Sequence, residues 1–346
     1  MRRVRQHQWS NGVTTLFLFT VVGVLAGCLS PGADSIALAN PSDAQTATPS
    51  PAEPAITISA GRNATSPTTM PTTQPTPTLL TSRPTSLPSD GPTAFGLART
   101  KMAANDLVGA REVLNNALSA GTLSDTETPE AKMMIADMNK TLIFSNRRLP
   151  ADPWVISHLV ESGEVLAKLG SMNAVTANFL QQINGITDAR KMRAGYTIKL
   201  IKGPFHAVVN KRAFTMDLYL GAPGGAGSMY VTTYRVGLGT DDSTPLGKWI
   251  VEPRKKLPNP TYYPPAGQGP IIEAEDPKNP LGRYWIGLKG IDGQSVGKTS
   301  YGIHGTIEPH SIGKQASLGC IRLLNQDVAQ VFGLLVEGKS TVVVLP

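Results

Sequence analysis

The sequence predicts a multidomain chain. A mainly β C-terminal domain, sandwich- or barrel-like, is preceded by a small βααβ module and a helical segment, all behind a disordered N-terminal tether. Three observations carry this reading. Twelve of the 28 prolines fall between Pro31 and Pro92, where apolar residues are too sparse to offset the entropy of ordering. Apolar residues then recur at helical spacing across residues 95–148. From Phe205 onward, short alternating runs are separated by Gly and Pro clusters, the pattern of a β domain.

The 346 residues are 40% hydrophobic and 16% charged, which suffices for a folded core. A net charge of +7 suits an anionic surrounding. No phosphate-binding or aromatic-basic motif accompanies it, so no nucleic-acid partner is expected. Two cysteines, Cys28 and Cys320, exclude a disulfide-rich scaffold and a four-cysteine zinc module.

Residues 1–28 read as an export signal. Arg2, Arg3 and Arg5 precede the mostly apolar run Val13 to Ala26, whose 14 residues suit a signal core and fall short of a membrane span. The run ends in Leu25-Ala26-Gly27-Cys28, which resembles the bacterial lipobox. The resemblance implies that Cys28 is acylated, becomes the mature N-terminus and anchors the protein to a membrane, facing the cell wall or periplasm. Cys320 is then a solitary thiol in an exported protein. Residues 29–93 form the Pro/Thr/Ser-rich linker, extended where Pro71-Thr72-Thr73-Gln74-Pro75-Thr76-Pro77 favours polyproline geometry.

In residues 94–150, Leu97, Val108, Val113, Leu114 and Leu118 mark helical faces, with a break at Asn105-Asp106. A further helix is expected from Pro129, a favourable first-turn residue, to Asn146. Small residues between Ala98 and Ala117 loosely resemble one tetratricopeptide-type hairpin; a generic helical hairpin accounts for them equally well. Residues 152–202 follow the order strand (Trp154 to Ile156), helix opening at Ser162-Gly163-Glu164, helix (Val175 to Ile183), strand (Gly195 to Leu200). This order, with Leu180-x-x-Ile183-Asn184, resembles a LysM module, with Glu164 where that family usually has Asp. The resemblance implies binding to peptidoglycan glycan; a LysM-shaped spacer without sugar affinity is the alternative.

Residues 205–346 begin with strands His206 to Asn210 and Thr215 to Leu220 around a Lys211-Arg212 turn. Further strands are expected at Met229 to Gly237, Gly247 to Glu252, Tyr284 to Leu288, Gly302 to His304 and Thr341 to Leu345. One helix, Asn325 to Leu335, has Asn325 as its expected N-cap and Asp327 in its first turn.

Two islands carry the chemistry: Tyr301-Gly302-Ile303-His304-Gly305-Thr306 and Ser317-Leu318-Gly319-Cys320-Ile321-Arg322-Leu323. The thiolate is the nucleophilic form of cysteine, and a nearby histidine can take the thiol proton and pass it to a leaving amine. Cys320 is therefore the candidate nucleophile and His304 the candidate base and acid. Gly305 and Gly319 permit the tight turns that bring them together. Amides around Leu318, Gly319 and Cys320 are candidates for an oxyanion hole. Arg322, two residues on, shares a face with Cys320 on an extended segment and is placed to bind a substrate carboxylate or lower the thiol pKa. Tyr301 and Ser317 are read as shaping the pocket. A zinc site from His304, His310 and Cys320 lacks a fourth ligand, so no metal is expected.

These islands, with Pro309 to Lys314 between them and the turn Thr244-Pro245-Leu246-Gly247, resemble the YkuD family of L,D-transpeptidases. The resemblance implies peptidoglycan stem peptides as substrate and release of D-Ala from a tetrapeptide stem. It also implies a Cys320 thioester intermediate, orientation of His304 by the Gly305 carbonyl, and no cofactor. A second stem as acceptor gives a 3→3 cross-link, a protein amine attaches that protein to the wall, and water gives an L,D-carboxypeptidase. Endopeptidase action by the same thiol, and a non-catalytic wall-binding lipoprotein, are the alternatives.

Overall fold

The computed structural model describes residues 93–225, 227–265 and 269–346. The signal, Cys28 and the tether lie outside them. The chain divides into two units, Met1–Ser82 and Arg83–Pro346, and every described residue belongs to the second. Among the described residues no helix is long and apolar enough to cross a membrane.

Helix α1 (Ala94–Ala103) is capped by Thr93, whose hydroxyl accepts from the Gly96 amide at 3.1 Å. Asp106 in the polar break caps α2 (Leu107–Ser119) through the Gly109 amide at 2.8 Å. Helix α3 spans Glu127–Leu142, starting two residues before Pro129. The reason is a reciprocal box. Ser124 donates its amide and hydroxyl to the Glu127 carboxylate, and the Glu127 amide donates back to the Ser124 hydroxyl. The helix also ends short of Asn146, where the buried Lys199 ammonium takes the carbonyls of Leu142 and Ser145. Burial holds that ammonium down to about 8.

Strand β1 (Val155–Leu159) pairs antiparallel with β2 (Thr197–Ile201), and α4 (Leu166–Met172) and α5 (Ala177–Ile183) lie between them in sequence. Leu166, Leu169, Phe179, Leu180 and Leu200 are buried there. Glu164 closes its turn by accepting from the Glu161 amide at 2.9 Å and contacting His158 at 2.7 Å. The buried pair Arg111–Asp152, at 2.8 Å, ties this module to α2.

The rest is a curled, mainly β half-barrel. Its strands are β3 (Phe205–Asn210), β4 (Thr215–Leu220), β5 (Met229–Arg235), β6 (Leu238–Gly239), β7 (Gly247–Pro258), β8 (Tyr284–Asp292), β9 (Tyr301–His304), β10 (Gln315–Ser317) and β11 (Ile321–Arg322). Helix α6 (Asn325–Leu334) and β12 (Thr341–Leu345) complete the chain. Eight strands form one sheet in the order β11-β9-β8-β7-β12-β3-β4-β5, and β10 pairs with β6. Strand β12 lies parallel to β3 and antiparallel to β7, so the last strand knits the centre. Val328, Val331 and Leu334 of α6 are buried in the same core as Ile286, Ile303 and Val342.

Two expectations are corrected. Strand β7 runs on past Glu252 to Pro258, because Glu337 accepts from the amides of Lys255 and Lys256 across an irregularity in the β7–β8 pairing. Asn325 is not the N-cap of α6. Leu324 occupies that position, and the Asn325 side chain instead grips both backbone groups of Thr306, at 3.2 and 3.0 Å.

Strand β5 is a sheet edge, and the helical segment covers it. The Asn139 amide group donates to the carbonyls of Tyr230 and Val231 at 3.2 and 3.1 Å. Asn115 brackets Tyr230, accepting from its amide and donating to the Ser228 carbonyl. Asn139→Ala strands these buried carbonyls and is expected to cost about 1–3 kcal/mol, read as a lower denaturant midpoint.

Candidate active site

The parallel pairing of β11 with β9 sets Ile321 beside Ile303 and Arg322 beside His304. Cys320 therefore sits beside Gly302. Cys320 and His304 share one face of neighbouring strands, a diagonal step apart. The Gly302 backbone amide faces the Cys320 sulfur and favours its ionised form. The cysteine is half-buried and is a free thiol.

His304 is buried, and its Nδ1 lies 2.7 Å from the Gly305 carbonyl oxygen. A carbonyl only accepts, so Nδ1 carries the proton and Nε2 is the free base. Burial pushes His304 down to about 4, opposed by the Gly305 hydrogen bond and assisted by the Arg322 charge. Burial likewise raises Cys320 to about 11, opposed by the Gly302 amide and by Arg322. The resting pair is thus thiol and neutral imidazole.

The turn before Cys320 is held by its own hydrogen bonds. Ser317 is buried and donates its hydroxyl to the Cys320 carbonyl at 2.7 Å. The Ser317 hydroxyl oxygen in turn accepts from the Gly319 amide at 3.2 Å. The Gly319 amide is therefore engaged within the resting turn. The Cys320 amide has no acceptor among the described residues. Leu318 stands out from the turn, 67% exposed.

Gly319 has φ +125°, and a Cβ there would lie 2.7 Å from the Tyr301 ring. Tyr301 is half-buried and packs on Trp249 with ring centroids 5.1 Å apart. Gly319→Ala is expected to cost about 1–3 kcal/mol of stability in a denaturant titration. It should also lower the reactivity of Cys320 toward iodoacetamide, because Tyr301 must move.

Arg322 is mostly buried, and one guanidinium nitrogen lies 2.9 Å from Glu308. Its charge is thus partly claimed within the protein, while its Nε has no partner among the described residues. His310 is exposed, in the short turn Pro309–Ser311.

Sequence reasoning missed Trp285 and Glu308. Trp285 pairs with His304 across β8 and β9, and the two rings stack at 5.8 Å and 21°. A Cβ on Gly302 would lie 2.6 Å from that indole. An aromatic in a predicted strand was visible, but its partner is set by register alone.

A family model described as the L,D-transpeptidase catalytic domain, YkuD, matches residues 204–344. The putative L,D-transpeptidase YqjB of Bacillus subtilis is 35% identical over 146 residues, 41% of this chain and 73% of that protein. The putative L,D-transpeptidase YkuD of the same organism is 27% identical over 197 residues, 55% of this chain and 99% of that one. A solved L,D-transpeptidase from Mycobacterium smegmatis aligns over 44% of this chain and 64% of its own, with 14% identity and a TM-score of 0.30.

Proposed function

This chain belongs to the YkuD family of L,D-transpeptidases, and from that premise we propose that it exchanges an acyl group on peptidoglycan stem peptides through a Cys320 thioester. The observation that supports it best is the diagonal placement of Cys320 and His304, with Nδ1 held by Gly305 and Nε2 left free as a base.

Cys320 adds to the carbonyl carbon of the third stem residue, a diamino acid, as its thiol proton passes to His304 Nε2. The carbonyl electron pair moves onto oxygen, where the Cys320 amide is the available donor. The C–N bond then breaks, the imidazolium protonates the departing amine, and D-Ala leaves. An acceptor amine attacks the thioester, gives its proton to Nε2 and restores the thiol. A second stem yields a 3→3 cross-link, and water yields an L,D-carboxypeptidase. No step calls for a metal or organic cofactor.

The same reading places the protein outside the cytoplasm, with Cys28 as lipid anchor and the βααβ module as a glycan-binding element. The test is incubation of the purified protein with tetrapeptide muropeptides and mass spectrometry of the products. Loss of D-Ala, or a new dimer, supports the enzyme. Unchanged muropeptides with every acceptor would favour a non-catalytic wall-binding lipoprotein.

A further inference from the structure

We propose that Thr244 is a positioning residue that aims the Cys320 amide at the developing oxyanion, an inference that rests on the acyl-transfer reading above. Thr244 is buried in the turn between β6 and β7. Its hydroxyl accepts from the Gly239 amide at 2.9 Å and donates to the Gly319 carbonyl at 3.0 Å. Both directions are fixed, because an amide N–H only donates and a carbonyl only accepts.

The Gly319 carbonyl belongs to the peptide plane that carries the Cys320 N–H. In a planar trans peptide the two groups point in opposite directions. Anchoring the oxygen on Thr244 therefore fixes where the Cys320 N–H points, away from the threonine. The restraint is needed because Gly319, at φ +125°, lacks the side chain that would otherwise limit rotation of that plane. The neighbouring groups are held separately. Thr240 donates to the Ser317 carbonyl at 3.2 Å, and Ser317 holds the Gly319 amide and the Cys320 carbonyl. Among the described residues, Thr244 alone bonds the plane between Gly319 and Cys320 through its oxygen.

Thr244 is itself rigidly placed. Pro245 restricts it to extended backbone conformations. The ammonium of the buried Lys211 binds its carbonyl at 2.6 Å and that of Asp242 at 3.1 Å. The strongly buried hydroxyl thus acts at the nucleophile through one peptide group, without touching substrate.

The test compares the full-length wild type with Thr244→Val, Thr244→Ser and Ser243→Ala. The last removes a neighbouring buried hydroxyl that has no partner among the described residues. Two readouts are taken: D-Ala release, and alkylation of Cys320 by iodoacetamide, which displaces iodide and forms no oxyanion. Thr244→Val is expected to lower kcat about 10- to 100-fold with little change in KM or alkylation rate. Thr244→Ser should restore most of the rate, and Ser243→Ala should match the wild type. If the valine variant does not fold, Thr244→Ala takes its place with the same readouts. An unchanged kcat overturns the assignment. So does alkylation falling in step with kcat, which would mean a displaced thiol, or an equal loss in Ser243→Ala. A wild type that releases no D-Ala ends the acyl-transfer reading, whereas release unaltered by the valine ends only the role of Thr244.

Discussion

Cys320→Ala is expected to abolish D-Ala release from tetrapeptide muropeptides while leaving the fold intact. In the proposed reaction the sulfur is the atom that forms the thioester, and no second cysteine lies among residues 93–346 to replace it. A loss of roughly 10^4- to 10^6-fold is the scale seen when an activated nucleophile is removed. The fold should survive because the half-buried cysteine is held through its backbone. Its carbonyl accepts from Ser317, and Ile321 and Arg322 after it continue the pairing with β9. Cys320→Ser should be almost as inactive. A hydroxyl is a weaker acid than a thiol, and His304, pushed down to about 4, is a weak base. Mass spectrometry of muropeptides and a thermal melt check both statements. Undiminished D-Ala release by Cys320→Ala would remove the sulfur from the mechanism.

What the sequence made legible follows from how local each signal is. The strand Thr215 to Leu220 and the last strand Thr341 to Leu345 have the bounds the sequence pattern predicts, since each buries side chains over several residues. Strands β6, β10 and β11 were invisible because two or three residues carry no period; they exist through their partners. Ser124-x-x-Glu127 was a readable helix start that Pro129 obscured. Asn325 looked like an N-cap because that is its local preference, and a long-range bond to Thr306 outcompeted it. At the site, the two islands gave the chemistry-bearing residues. The engaged Gly319 amide, the Glu308 partner of Arg322 and the Trp285 ring on His304 all depend on contacts between distant segments.

His304→Gln is expected to lower kcat/KM about 10^2- to 10^4-fold, the usual contribution of a positioned general base. The wild-type pH profile should identify that base. Burial with Trp285 stacked on the ring holds His304 at about 4, so it binds a proton, and ceases to be a base, only below that pH. Burial holds the thiol protonated up to about 11. Between these limits both groups stay neutral, and the proton moves only as sulfur adds to the carbonyl. The rate should therefore rise with pH through about 4 and then run flat. No step is expected near about 6.5 or about 8.5, the ordinary values of imidazole and thiol. The free protein at neutral pH should likewise show no ultraviolet thiolate absorbance from Cys320. A limb near the ordinary imidazole value, or a thiolate signal at neutral pH lost in His304→Gln, would show a preformed thiolate–imidazolium pair instead. Trp285→Ala separates the causes, because opening the ring face to water should move the acid limb upward toward the ordinary imidazole value.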